Sequence, residues 1–326
     1  MPRISVVMPV YNGESYLEET LDSLLAQSFQ DYEVVCVNDS STDRSLQILE
    51  RYAQLDLRIK VYTKPNQGLA SFSVAYGLER ARGQYYMYTS QDDLYDVDLL
   101  KKGIELADEM KADVVIPNLV CYSGNKDDTS IRTFWRETVP DFEHVTPHDA
   151  FVLSLDWRIH GFGLYRTEIV KRVGIETFNY NSDEYTTRKL LLNCSKIVFS
   201  DAIFYYRINN PNAITKKMSF KLFDVFYTNQ KLEELALEQK VPMEAIIKLR
   251  ELALNDVAIR QKLLFIYGDS LSGYERREAA LKVENAYRNI RDKKELYKND
   301  KFRRLLFTHG FKLLKFSMRV RAFINK

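Results

Sequence analysis

Blocks of apolar residues alternate with polar, turn-forming ones along the first two-thirds of the chain. The β-branched run at 4–10 closes on Tyr11-Asn12-Gly13, a turn signature, and leucines at 17, 21, 24 and 25 then recur at helical spacing across 14–27. This predicts a strand, a turn and a helix. A buried strand at 33–37 follows, and Asn38-Asp39-Ser40-Ser41-Thr42-Asp43 offers several caps for a helix over 46–55. Further rounds are expected from a strand at 59–62, the loop Lys64-Pro65-Asn66-Gln67-Gly68, a helix to about Arg82 and a strand at 84–88. Such alternation implies an α/β fold, a mostly parallel sheet flanked by helices.

The pattern continues with a helix over 98–111 and a strand over 113–122, then loses its period. Residues 130–180 mix aromatics, histidines and Gly161-Phe162-Gly163, and are read as a loop-rich wall of a cleft. A helix over 182–193, a short strand over 196–200 and the turn Asn209-Asn210-Pro211-Asn212 come next. From about Ser219 the chain is helical and charged, so a boundary is placed near 215: a first domain over 1–215 and a helical C-terminal region over 216–326.

Composition narrows the classes. With 47 basic and 45 acidic side chains the net charge is +2, which gives no pull toward nucleic acid. Cys36, Cys121 and Cys194 lie far apart among apolar or small neighbours and are expected as reduced core thiols. His144, His148, His160 and His309 form no pair at metal-binding spacing. No apolar run approaches the ~20 residues that cross a bilayer, and the expected location is cytoplasmic, with a peripheral place on the inner face of the cell membrane left open.

The chemistry is expected where Asp92 and Asp93 follow the apolar run 84–88. In open α/β sheets ligands bind beyond the carboxyl ends of the strands, and paired carboxylates there suit a divalent cation carrying phosphate. Dinucleotide and P-loop fingerprints are missing: Gly161-Phe162-Gly163 lacks a third glycine, and no Gly-Lys-Ser/Thr occurs.

Val6-Val7-Met8-Pro9-Val10-Tyr11-Asn12, Val37-Asn38-Asp39-Ser40-Ser41-Thr42-Asp43 and Ser90-Gln91-Asp92-Asp93 occur in that order, with Asn66-Gln67-Gly68 between the last two and Asp183-Glu184 before a leucine-rich helix. This set resembles the family 2 glycosyltransferases over roughly residues 3–215. The resemblance implies a GT-A fold and an inverting transfer of a sugar from a nucleotide-diphospho-sugar, most often a uridine one, with Mn2+ or Mg2+. The acceptor it implies is a hydroxyl of a glycan or lipid-linked glycan, as in surface polysaccharide synthesis.

The resemblance also implies the roles. Asp39 would accept a hydrogen bond from the uracil imide; Pro9, Tyr11 and Asn12 would line the base and ribose pocket, with Gly68 and Asp92 as further donor contacts. Asp93 would hold the metal, and Asp183 would act as the base, with Glu184 in reserve. Asn38 and Ser90 depart from positions where the family often has acids. The helix after Gly68 lacks the usual Arg-Asn, leaving Lys64, Arg132, Arg136 or Arg207 as candidate diphosphate contacts. His160 opens a segment resembling the acceptor side, and Trp157 is read as core ahead of a sugar-stacking role.

The competing classes are a sugar nucleotidyltransferase, which would need a glycine-rich basic loop after the first strand, and a non-catalytic nucleotide-sugar-binding scaffold. Residues 301–326 carry eight Lys or Arg and no acid, with Phe302, Leu305, Leu306, Leu313, Phe316, Val320, Phe323 and Ile324 on one helical face. Such a segment either lies on a membrane surface or packs on the preceding helices. Donor sugar, linkage and oligomeric state are not legible here.

Overall fold

The computed structural model describes residues 1–124 and 129–324, with the side chains of 129–133 and 324 outside the description. Two compact units are present: residues 1–178 with 182–210, and residues 179–181 with 211–326.

The first unit is built on one mixed sheet. Its strands are β1 (Ile4–Val10), β2 (Tyr32–Asn38), β3 (Ile59–Thr63), β4 (Tyr85–Tyr88), β5 (Leu94–Tyr95), β6 (Val114–Tyr122), β7 (Thr129–Thr133), β8 (Leu164–Arg166) and β9 (Ile197–Arg207), in the order β3-β2-β1-β4-β8-β6-β9-β5 with β7 on β6. β3, β2, β1 and β4 are mutually parallel, whereas β8 runs antiparallel to both β4 and β6.

Side-chain alternation explains why β1 is apolar throughout. Ile4, Val6, Met8 and Val10 pack with Leu17, Leu21, Leu24 and Leu49 on one face; Val7 packs with Val74 and Leu78 on the other. The polar exception, Ser5, donates to Glu33 at 2.6 Å and accepts from the Gly83 amide at 2.7 Å, so its hydroxyl is satisfied inside the sheet. Gly83 could not carry a side chain, since a Cβ there would lie 2.4 Å from the Ser5 backbone nitrogen.

The region 130–180 is more ordered than its lack of period suggests. It contains β8 and the helices Pro147–Ser154 and Thr167–Val173, the former opened by a capping box between Thr146 and Asp149. Short elements that each bury a few residues leave little periodic signature. β9 is likewise one continuous eleven-residue strand, where only a short strand over 196–200 was expected. The β6–β9 register shifts between Ile116 and Asn118, at Pro117, which has no N–H to give to the ladder.

The second unit is all helix: Val225–Glu238, Met243–Tyr267, Gly273–Asn289, Lys301–Thr308 and Phe311–Ile324 are its long elements. Leu222, Phe223, Leu254, Val257, Leu264, Val283 and Tyr287 form its core together with Phe307, Leu314 and Met318. The described part of the 301–326 segment therefore packs inside this unit through Phe307, Leu314 and Met318, while Phe302, Leu305, Phe316, Val320 and Phe323 remain exposed. Its helix breaks at Gly310, which has φ 126°, so the apolar row before the break and the one after it differ in phase. No helix among the described residues is long and apolar enough to cross a membrane. All three cysteines are free and buried.

Candidate active site

The loops that follow β1, β2 and β4 are tied to one another at the carboxyl edge of the parallel strands. The Asp39 amide donates to the Val10 carbonyl at 2.8 Å, and Gln91 clamps Tyr11 from both sides, accepting from its amide at 2.8 Å and donating to its carbonyl at 3.1 Å. Gly13 is small because Gln91 lies there: a Cβ on it would sit 2.5 Å from the amide oxygen. Asn12 and Ser40 adopt left-handed backbone, held by Asn12 Oδ1 accepting from the Thr42 amide and Ser40 Oγ donating to the Lys64 carbonyl, both at 2.8 Å. Asn38, at a position where an acid was the commoner expectation, accepts from the Ser41 amide at 3.1 Å and shapes the turn that presents Asp39.

Asp39 is buried and meets the Lys64 ammonium at 2.7 Å. Its carbonyl accepts from Asn66 at 3.0 Å, and Asn66 Oδ1 in turn accepts from the Gly68 amide, where φ is 79°. Pro9 is the penultimate residue of β1, opposite Val37 of β2, rather than part of the loop after it, while Tyr11, Asn12, Asp39 and Gly68 lie on loops joined to one another, with the Tyr11 side chain about half exposed.

Asp93 is almost fully buried. Its Oδ1 accepts from the Arg207 amide at 3.0 Å, whereas Oδ2 has no hydrogen-bond partner among the described residues. Burial, and then the neighbouring Asp92, hold its carboxyl well above the ordinary range. A buried oxygen with an unspent lone pair beside a second carboxylate fits a divalent cation. Among the described residues no three His, Cys, Asp or Glu side chains gather as a metal cage, so remaining ligands would come from phosphate and water.

Arg207 organises this corner. Its guanidinium lies between the Tyr16 and Tyr122 rings, donates to the Asp92 carbonyl at 2.8 Å and to Glu19 at 2.5 Å, while Asn210 donates to Asp92 Oδ2 at 2.6 Å. Arg207, Arg136 and Lys64, the candidate diphosphate contacts, are each engaged with a carboxylate, Arg136 with Asp201 at the surface. Each has an acid packed near it in space but distant in sequence, which a linear reading does not reveal. The Arg132 side chain lies outside the described residues.

Asp183 and Glu184 open the helix Ser182–Leu192, anchored by Ser182 Oγ donating to the Glu176 carbonyl at 2.6 Å. The two carboxylates differ. Glu184 is paired with the buried Arg188, whose other nitrogen donates to the Ser154 carbonyl at 2.6 Å. Asp183 has water access, yet protein crowds it on most sides, and that crowding with the Glu184 charge pushes its carboxyl up to about 7. Asp183 and Asp93 both act electrostatically on the Tyr88 and Tyr206 hydroxyls, which places them around one region of the unit.

His160 is buried, with Nε2 2.9 Å from the Pro117 carbonyl and its pKa lowered to about 4 by burial. It is a neutral structural imidazole. Trp157, expected in the core, is instead 46% exposed. Gln91, Asn210 and Tyr206 were missed, because nothing in their spacing distinguishes them from ordinary turn and strand residues.

Comparison with known proteins adds relatives. A family model described as Glycosyl transferase family 2 matches residues 5–174. The chain is 29% identical over 227 residues to the uncharacterized glycosyltransferase EpsJ of Bacillus subtilis, covering 66% of this chain and 64% of that protein. It is 31% identical over 213 residues to the Staphylococcus aureus poly(ribitol-phosphate) beta-N-acetylglucosaminyltransferase TarS, covering 63% of this chain and 35% of TarS. The chain thus matches under two-thirds of the former and about a third of the latter. The crystal structure of S. aureus TarS 1-349 in complex with UDP-GlcNAc superposes with a TM-score of 0.69 at 19% identity, covering 99% of this chain and 89% of that one, a likeness of fold.

Proposed function

The chain belongs to glycosyl transferase family 2, and from that premise we propose that it is an inverting, metal-dependent glycosyltransferase that moves a sugar from a uridine diphospho-sugar to a glycan hydroxyl. The observation that carries the reading is the pairing of an unsatisfied, buried Asp93 oxygen with a water-accessible Asp183 whose carboxyl pKa is raised, both acting on Tyr88 and Tyr206.

The residues divide the work. Asp39, fixed by Lys64, accepts an N–H from the base, and Pro9 at the end of β1 with the Tyr11–Asn12 loop and Gly68 walls the nucleoside. Asp93, with Asp92 beside it, would hold Mn2+ or Mg2+, which when bound neutralises charge on the departing diphosphate. Arg207, Arg136 and Lys64 are committed to carboxylates, so a cation at Asp93 is the natural counter-charge for that diphosphate.

Asp183 takes the proton of the acceptor hydroxyl as its oxygen bonds to the anomeric carbon, and the bond to the diphosphate breaks on the opposite face. A base whose pKa lies near the working pH suits that transfer. Glu184 is less suited, because the Arg188 guanidinium holds its carboxylate.

The exposed apolar and basic side chains of 301–323 support docking on an anionic membrane surface, where a lipid-linked acceptor would be held. The test is turnover with a panel of uridine diphospho-sugars and Mn2+ over glycan acceptors. Loss of transfer in Asp93→Ala and Asp183→Asn with retained folding is expected; turnover that survives both variants refutes the reading.

A further inference from the structure

Trp157 is a large aromatic left exposed against Arg188 of the helix that carries the candidate base. Its indole is 46% exposed, although tryptophan is among the most costly side chains to leave in water. Its backbone is left-handed at φ 67°, a conformation that costs a bulky residue free energy and persists only where the surroundings impose it. A turn fixes it there: the Trp157 amide donates to the Ser154 carbonyl at 3.2 Å, the same carbonyl that accepts from Arg188.

The Arg188 guanidinium lies 5.6 Å from the indole centroid and is ion-paired with Glu184, the neighbour of Asp183. The exposed ring therefore meets the buried Arg188, which is paired with Glu184 in the same helical turn as Asp183. Charge in this neighbourhood is balanced: Arg188 faces Glu184, Arg158 faces Asp156 at 2.9 Å and Lys189 faces Glu176 at 2.7 Å. A phosphodiester-rich acceptor would meet no uncommitted cation among these three.

We infer that Trp157 is the acceptor platform, and that the acceptor presents a neutral pyranose ring to it rather than an acyclic polyol phosphate. The axial C–H bonds of a pyranose form a flat, weakly positive apolar face that matches the negative face of an indole, whereas a flexible polyol has no such face. Stacking there would orient one ring hydroxyl toward Asp183, an entropic advantage in the sense of orientation catalysis. This rests on the proposed glycosyl transfer and narrows its acceptor class.

The chain contains two tryptophans, and because Trp135 is buried and emits at shorter wavelength, the long-wavelength part of the emission reports on Trp157. Methyl β-glucopyranoside and methyl β-N-acetylglucosaminide are titrated into the protein with UDP and Mn2+, alongside poly(ribitol phosphate). The glycosides should quench the exposed-indole emission saturably, and Trp157→Phe should abolish the signal while keeping an aromatic face. With whichever uridine diphospho-sugar turns over, Trp157→Ala should raise the acceptor KM about tenfold or more and Trp157→Phe much less, with UDP affinity in both variants reporting an intact fold. Quenching by poly(ribitol phosphate) but not by either glycoside overturns the inference, as does an unchanged acceptor KM in Trp157→Ala. Absence of donor turnover in the unaltered protein would instead defeat the proposed function, and glycoside quenching would still decide the platform.

Discussion

Lys64 and Asp39 form an ion pair of 2.7 Å in which both side chains are almost wholly withdrawn from water. The pair joins the end of β3 to the end of β2, where the nucleoside is proposed to sit. Desolvating two charges costs about as much as their attraction returns, so the pair itself adds little stability. Removing one member leaves the other buried and alone, typically at a cost of about 3–5 kcal/mol. Lys64→Met should therefore lower the unfolding free energy read from urea titration by an amount in that range and weaken UDP binding. Adding Asp39→Asn should recover part of the stability without restoring affinity. If the double variant is as unstable as the sum of the singles, the two residues are not coupled.

The strand ends that form this edge were legible in the chain because each parallel strand is buried on both faces. Such strands read as continuous apolar runs, and the polar residue that breaks each run marks its carboxyl end. The position of Asp93 after 84–88 follows from such a run, whereas Asp39 is singled out by the family resemblance. The Arg207–Asp93 hydrogen bond was not legible, since the partners are 114 residues apart and meet because β5, which begins just after Asp93, pairs with the end of β9, Leu94 opposite Tyr205. Trp157 was misjudged for a related reason: hydrophobicity favours the core, and only the left-handed turn turns the indole outward. The tail was half legible, because a single helical wheel over 301–326 ignores the change of phase at Gly310 and so misses Phe307, Leu314 and Met318 as the buried row.

Asp183 makes a pH prediction. Its raised carboxyl, pushed up to about 7, must be deprotonated to accept a proton, so kcat/KM for transfer should climb with pH through the neutral range and level off above it. Asp183→Asn should remove this acid limb and lower kcat by roughly 10²- to 10⁴-fold, the usual worth of a general base. UDP binding should survive in that variant. A pH profile with the same limb in Asp183→Asn would assign the titration elsewhere.

Asp93 makes a metal prediction that needs no turnover. With its Oδ2 lacking a hydrogen-bond partner among the described residues, a divalent cation and the UDP phosphates should bind together. In calorimetry, chelating the metal with EDTA should weaken UDP binding to the unaltered protein at least tenfold. Asp93→Asn should bind UDP equally weakly with or without Mn2+. Tight UDP binding that is indifferent to chelation would remove the cation from the proposal.

His160 predicts acid sensitivity of a definite sign. Its imidazole is lowered from 6.5 to about 4 in the folded chain. Above pH 6.5 both states hold it neutral, and its contribution to stability is fully present. As pH falls from there toward 4, the unfolded chain takes a proton that the folded one refuses, so stability drops by up to about 3 kcal/mol. His160→Gln, which can still donate to the Pro117 carbonyl, should flatten that part of the curve relative to the unaltered protein. Comparing the two proteins cancels the opposing contribution of Asp93. Parallel curves for the two would mean that His160 titrates normally.

The tail gives the last test, and the structure dictates how it must be made. Truncating 301–326 would strip Phe307, Leu314 and Met318 from the helical core, so lost vesicle binding would report only unfolding. Phe302, Phe316 and Phe323 are 62%, 65% and 83% exposed, and replacing all three with serine leaves the buried row intact. The unaltered protein should co-sediment with phosphatidylglycerol vesicles, more weakly at high salt because its lysines and arginines contribute up to ~1 kcal/mol each near an anionic surface. The triple variant should keep its melting temperature and lose most of that binding, since the rings supply the apolar area that enters the interface. If it binds as well as the unaltered chain, attraction is purely electrostatic and the exposed phenylalanines serve some other surface.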